Sequence, residues 1–590
     1  MKTFINYLFI TAILIGMSAC MEETPVENEI SSFDQLDIPV DFDFRTTKEL
    51  NLTLFAGDAV HSVFYIYDSD PSNGGRLLKK GLSSGDYSFQ TAITIPTQGE
   101  TIFVTRQAFD GKYEEISHEV TASNISLTFA GTQKSTSTGS NLVNNGDFEN
   151  TSYSYNYENN LQSNISSSNT DVWTLKSWQN NKPNSTIEVS GSNHYVFMDD
   201  NKSNKQTFAY YFVAASASTE YTLEVDGNLV DDDDDLEPYV RLSYLGSNGQ
   251  EINGYEVEVV GEGNGWNTYT ITQTSPANTA YIKVILATTT SGKGEVYFDN
   301  VELTQAVVVV DADNDGVPDS LDEYPADAAR AFNSYYPNAI DFASLGFEDL
   351  WPSMGDYDFN DLVLDFQYTI VTNASNNIID LVGKFKIKAV GATFANGFGV
   401  SLDLNPAYVA SVTGAQLTGS LVTIASNGLE SGHTNKSVFI VYEDINTYAG
   451  AMLNTAVGEV ATDIPMTTVT VTLGTPQSSV GSEPFNPFIY INQTRGREVH
   501  LVNKLPTALA LSSYFGDSDD ASNGIDVFYK TSQNYPWAIE IPTTFAYPLE
   551  EVDVVNAHVK FGPWAESSGA SYTNWYENQP GYRNGQNIFQ

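Results

Sequence analysis

The sequence predicts an all-β, multidomain protein, and three observations carry that prediction. Tyr and Phe are abundant, at 34 and 32 residues. Short runs that alternate apolar and polar residues recur between clusters of Gly, Ser, Asn and Asp, while long helical periodicity is absent. The length of 590 residues exceeds what a single hydrophobic core can serve, so three or more domains are expected. Charge narrows the partners. The 27 Lys and Arg against 74 Asp and Glu leave a net charge of −47, which makes nucleic acid and anionic membrane surfaces poor partners. The acidity serves either solubility or divalent-cation binding, and the clustering of carboxylates decides between them.

Residues 1–19 read as a secretory signal, a charged start followed by an apolar run too short to span a bilayer. It ends at Met17-Ser-Ala-Cys20, and Cys20 is the only cysteine of the chain. A lone cysteine after small residues at a signal cleavage point resembles a bacterial lipobox, which implies lipidation of Cys20 and membrane attachment through that lipid. Glu22 and Glu23 directly after it resemble the surface-export signal of Bacteroidetes lipoproteins, implying an outer-membrane, surface-exposed location. Residues 20–45 are expected to be a polar tether.

From residue 46 to 130 the runs Leu50–Phe55, Val63–Tyr67, Thr91–Ile95 and Thr101–Thr105, separated by turn clusters, predict a small β-sandwich. Residues 131–140, rich in Ser and Thr, read as a linker. The next module opens with Asn145-Gly-Asp147-Phe-Glu149 and closes with Tyr297-Phe-Asp299-Asn-Val301. This pairing resembles the first and last strands of galactose-binding-like jelly rolls, including carbohydrate-binding modules, and places a jelly roll at 141–306. In such folds the termini are adjacent, so Asn145, Asp147, Glu149 and Asp299 are candidates for a structural calcium; turn capping explains them equally well. Trp173, Trp178, Tyr210 and Trp266 are candidate sugar platforms, beside Tyr195, Phe197 and Tyr211. For any one of these, packing in the core is the competing explanation. The Asp231–Asp235 run reads as a solvated loop.

The sharpest chemical pattern is Asp311-Ala-Asp313-Asn-Asp315-Gly316-Val317-Pro-Asp319-Ser-Leu321-Asp322. Oxygen side chains fall at loop positions 1, 3, 5, 9 and 12, glycine makes the bend at 6, and Val317 offers its carbonyl at 7. Flanking amphipathic helices are missing, so a paired EF-hand is not expected. The continuation Glu323-Tyr-Pro-Ala-Asp327 resembles the thrombospondin type 3 repeat, which sets a calcium-binding joint at 307–335.

Beyond it, residues 336–590 form the last predicted domain. Glu348, Asp349, Asp356, Asp358, Asn360 and Asp361 alternate with Trp351, Tyr357 and Phe359. Such a density of carboxylates is costly without a cation, so Glu348, Asp356, Asp358 and Asp361 are candidates for a second calcium site. The string Phe347-Glu-Asp-Leu-Trp-Pro…Gly355-Asp-Tyr-Asp-Phe-Asn-Asp-Leu-Val363, with later landmarks such as Arg495-Gly-Arg497-Glu498 and Tyr535-Pro-Trp537, resembles LruC-domain bacterial lipoproteins over about Leu345–Tyr576. Asp517, Asp519 and Asp520 fit a third ion site or a capped turn equally. Glu498 and His500 share a strand face near Arg495 and Arg497, which suits a cross-strand salt bridge or an acid/base pair. No nucleophile elbow, phosphate loop or metal triad accompanies them, so no catalytic residue is assigned.

The expected architecture is therefore a β-sandwich, a jelly roll, a calcium-loop linker and a C-terminal β-rich domain. The expected function is structural calcium binding, with binding of a glycan or another surface ligand by a lipid-anchored envelope protein. A carbohydrate-active enzyme and a purely structural surface component are the alternatives.

Overall fold

The computed structural model describes residues 31–590 except 110, 131–140, 162–169, 178–183, 201–205, 234–235, 260–262, 264, 291 and 306–309. The protein is all-β and multidomain, with six sheets and only short helices among the described residues. None of those helices is long and apolar enough to cross a membrane.

In the first body, strand Thr47–Ala56 lies between Ser88–Pro96, antiparallel, and Asn124–Phe129, parallel. Leu50, Leu52 and Leu54 alternate inward and meet Phe64, Ile66, Ile102 and Val104 of a four-stranded sheet, closing a small sandwich core.

The second body stacks a five-stranded sheet on a six-stranded one. The five strands run Asn184–Ser190, Asn193–Asp200, Lys293–Gln305, Glu220–Asp233 and Asn267–Thr274. Its termini are adjacent: Val301 donates its backbone N–H to the Gly146 carbonyl and Leu142 donates to Leu303. A Cβ at Gly146 would lie 2.0 Å from the Val301 carbonyl oxygen, so only glycine allows that approach.

The third body packs a seven-stranded sheet, with Leu362–Thr372 and Ile378–Ala389 at its centre, against a four-stranded sheet holding Gly397–Leu402 and Asn486–Tyr490. Phe366, Phe385, Phe398 and Ile489 fill the space between them.

Two joins depart from the expected organisation. The tether expected at 20–45 is packed from Phe33 onward. Phe33, Leu36, Ile38, Phe42 and Phe44 are buried in one cluster with Tyr357, Phe359, Trp564 and Trp575 of the last domain. Asn534 holds the Pro39 and Phe42 carbonyls, and the Tyr535 hydroxyl donates to that of Leu36. Leu36, Ile38, Val40, Phe42 and Phe44 alternate with Asp and Pro at a strand period, yet the stretch forms no strand, and of these side chains only Val40, 71% exposed, stays outside the core.

The second join involves residues 311–335. They were expected as a joint between the jelly roll and the last domain; in the structure Phe332–Tyr336 is a strand of the last domain's sheet, and the turn before it also lies against the small sandwich. Val317, Leu321 and Phe332 bury against Val63. The Lys80 ammonium donates to the Leu321 carbonyl at 2.6 Å and to Glu323 at 2.7 Å. The Asn376 side chain bridges both backbone groups of Leu82 at 2.8 Å.

Candidate functional site

Residues 310–322 form a closed turn. Asp319 donates its N–H to the Val310 carbonyl and accepts from Ala312 through its carboxylate. Asp311 accepts from the N–H groups of Asn314 and Gly316, with both Asn314 (φ 62°) and Gly316 (φ 96°) left-handed. This winding gathers oxygens of Asp311, Asp313 and Asp315 within 4.8 Å of one another. One oxygen each of Asp313, Asp315 and Asp322 is buried without a hydrogen-bond donor. Burial, reinforced by the neighbouring carboxylates, pushes Asp322 up to about 6 and raises Asp315. Meanwhile the Val317 side chain is fully buried against the sandwich, which leaves its carbonyl to the loop.

The second acidic cluster is assembled from separated segments. Strand Ala343–Phe347 delivers Glu348 into the interior, where the residue is 0% exposed. Its Oε1 accepts from the Phe359 N–H at 2.7 Å, while its Oε2 is buried with no donor. The turn after Gly355 then alternates. Tyr357 (φ 59°) and Phe359 (φ 53°) are left-handed and send their rings into the core, which leaves Asp356, Asp358 and Asn360 on the other side. A Cβ at Gly355 would sit 1.8 Å from Glu348 Oε2, so glycine is what lets the turn lie over that carboxylate. Oxygens of Glu348, Asp356 and Asp358 fall within 4.8 Å of one another.

Asp361 stands outside that group of three, accepting the Asp349 N–H at 2.7 Å. Asn360 Oδ1 and Glu550 Oε2, both buried without donors, converge beside Gly391. Burial among like charges raises Glu348 well above the carboxylate range, and pushes Asp358 up to about 9, Asp361 to about 8 and Glu550 to about 7. Glu550 was invisible in the sequence, being far downstream and embedded in no motif.

The jelly-roll carboxylates do not converge in this way. Asp147 caps the Glu149 N–H, Glu149 binds the backbone and ring of His194, and Asp299 accepts from Asn193 and Asn300. Asn145 bonds Tyr155 and Asn150. Among the described residues no group of three acids gathers there.

The aromatic candidates separate by sheet face. Trp173 is fully buried between Phe148 and Tyr211. Tyr210 is also fully buried, its ring under the Lys283 ammonium and its hydroxyl on Glu158. Neither offers an open ring face. Trp178 lies outside the described residues, as do Cys20 and the signal.

Trp266, in contrast, is 42% exposed. It heads a row on the outer face of the five-stranded sheet, with ring centroids 5.9 Å to Tyr195 and 6.3 Å to Tyr297, and Phe197 5.3 Å beyond Tyr297. Strand alternation puts Val196 and Val296 inward and turns the half-buried Phe197 and Tyr297 outward, while Tyr195, 8% exposed, is covered by its packing against Trp266 and Tyr297. Glu188 pairs with Tyr195, and Asn228 with Tyr297, along the row. Glu295 is raised by burial and by Asp199, Asp231 and Glu188, so the rim is carboxylate-rich. Tyr297 was legible inside the closing-strand motif but was read only as a landmark of the fold.

The Glu498–His500 pair is interior. Glu498 binds Arg495, His500 and Thr507, the other His500 ring nitrogen meets Asn486, and Arg495 also grips Glu430. Both residues are 0% exposed, so the pair ties strands together with no open face. Asp519 and Asp520 cap the N–H groups of Met354, Gly516 and Ser522.

Residues 376–576 match the family model described as a domain of unknown function, DUF4842. That is narrower than the stretch on which the LruC resemblance rests. Among solved structures, a candidate lipoprotein from Bacteroides ovatus is 16% identical, covering 67% of this chain and 92% of its own, with a TM-score of 0.35. A family 16 carbohydrate-binding module is 16% identical over 21% of this chain and 84% of its own, with a TM-score of 0.18. A candidate sugar-binding protein from Bacteroides thetaiotaomicron is 13% identical over 28% of this chain and 99% of its own, with a TM-score of 0.21. No curated protein matches the chain.

Proposed function

We propose that this chain is a lipid-anchored envelope protein that binds a neutral glycan on the outer face of its five-stranded sheet, with calcium in the 311–322 loop as a structural ion. The supporting observation is the exposed Trp266 with the half-buried Tyr297 and Phe197, packed about the buried Tyr195, which offers apolar ring surface beside side-chain oxygens. Sugar C–H faces stack on such rings while hydroxyls bond the carboxylates and Asn228 at the rim. The acid rim repels uronates and sulfated sugars, which selects neutral glycans. The three donorless carboxylate oxygens of Asp313, Asp315 and Asp322 support calcium in the loop.

The test is a glycan array of the full chain, followed by calorimetry on the neutral oligosaccharides that respond. Trp266→Ala and Tyr297→Ala should each weaken binding by roughly tenfold, about 1.4 kcal/mol. A blank array, or affinity untouched in both variants, overturns the glycan reading.

A further inference from the structure

We propose that Glu348, Asp356 and Asp358, flanked by Asn360 and Glu550, bind a second calcium-class divalent cation, one that fastens the N-terminal arm to the last domain.

The first support is the unpartnered Glu348 Oε2. Its residue is wholly buried, and the atom lies with oxygens of Asp356 and Asp358 inside a 4.8 Å group. A buried carboxylate oxygen without a donor costs several kcal/mol unless something positive meets it. No Lys, Arg or His pairs with Glu348, Asp356 or Asp358 among the ion pairs of the described residues. Asn360 Oδ1 and Glu550 Oε2 are likewise donorless, and both lie within 2.5 Å of the point where a Gly391 Cβ would stand.

The donor set consists of oxygen only, with several carboxylates and an amide carbonyl. It suits a hard cation with a high and flexible coordination number, calcium ahead of magnesium or a transition metal. Asp358 already accepts the N–H groups of Asn360 and Glu551, one on each oxygen. Each oxygen keeps a second lone pair for the ion.

The cation would fix the turn that carries Tyr357, and Tyr357 stacks on Phe33 of the arm with centroids 4.1 Å apart and planes 11° from parallel. The next segment after Glu550 closes the same contact, since the Asp553 carboxylate accepts the Phe33 N–H. One ion therefore reaches three separated parts of the chain, in contrast to the contiguous loop at 311–322.

The experiment titrates calcium into the chelator-stripped full chain by calorimetry and compares two variants. Asp311→Ala with Asp313→Ala removes the loop site and should leave one calcium bound. Asp356→Asn alters an exposed side chain, so the fold is not at risk, and should remove one calcium or weaken it at least tenfold. Terbium in place of calcium should luminesce through Tyr357 in the loop-site variant and lose that signal once Asp356→Asn is added. The proposal is overturned if the folded loop-site variant binds no calcium, or if Asp356→Asn binds calcium as the parent does. Failure of the loop reading alone would show differently, as unchanged calcium uptake in the loop-site variant and a loss in Asp356→Asn.

Discussion

The two acidic clusters solve one electrostatic problem in opposite ways. At 311–322 consecutive residues wind the carboxylates together, half-exposed, and the apolar Val317 and Leu321 of the same turn dock it on the small sandwich. At 348–358 the carboxylates come from a strand end and a later turn, Glu550 flanks them from far downstream, and the centre is buried. The first is organised by local backbone geometry and needs the domain only for docking. The second exists only once the domain has folded, so its charges are repelled and desolvated inside the core. A cation at the first stiffens a join, whereas a cation at the second compensates the fold itself.

The largest expected effect that separates them is Phe33→Ala. Removing this wholly buried ring should cost roughly 3–5 kcal/mol in denaturant unfolding of the last domain. It should also weaken calcium at the second cluster and spare the 311–322 loop. Equal weakening at both would erase the distinction drawn between them.

Next in size is a pH effect of a few kcal/mol. Asp358, Asp361 and Glu550 are raised to about 9, 8 and 7, whereas the loop's Asp322 reaches only about 6. These groups titrate near 4 when unfolded, so between about 4 and 9 the calcium-free folded state holds more protons than the unfolded one. Its stability is therefore highest at low pH and falls as pH rises. Thermal melts in chelator should decline between pH 5 and 9, and calcium should flatten that decline. A calcium-free profile that rises over this range contradicts the account of the second cluster.

The smallest effect concerns the loop's docking. Lys80→Met removes the ammonium held by the Leu321 carbonyl and Glu323, at a cost of about 1–2 kcal/mol. Calorimetry should show calcium at the loop weakened a few-fold and the second cluster unchanged.

The same contrast explains what the sequence could reveal. At 311–322 the gathering of Asp311, Asp313 and Asp315 was legible to the residue because its spacing is its geometry. At the second cluster the alternation of Asp356 and Asp358 with Tyr357 and Phe359 announced the turn, and Glu348 followed from it. Asp361 stands outside the group of three, and alternation alone does not show that one of its oxygens turns to the Asp349 N–H. Glu550 comes from a fold-level return of the chain that no local pattern encodes. Strand periodicity gave the sheets but not the sheet face: Trp173 and Tyr210 lie under neighbouring side chains, while Tyr297, on a strand recognised from the outset, is one of the rings turned outward. The arm at 33–44 escaped because Asp at 34, 37, 41 and 43 makes the stretch resemble a polar tether, although Leu36 to Phe44 alternate at a strand period.

That docked arm changes how the molecule would carry tension. The jelly roll leaves the chain after residue 130 and rejoins it at 310, and both flanking bodies are fastened to each other through Lys80, Val63 and Asn376. The chain therefore enters and leaves the jelly roll from two bodies that are themselves joined. A tug on the Trp266 face is shared by both of those bodies. Toward residue 31 it meets both the backbone that runs on from Thr47 and the contacts that hold the arm on the last domain, the aromatic cluster around Phe33 and the hydrogen bonds of Asn534, Tyr535 and Asp553, so the arm is braced along its length.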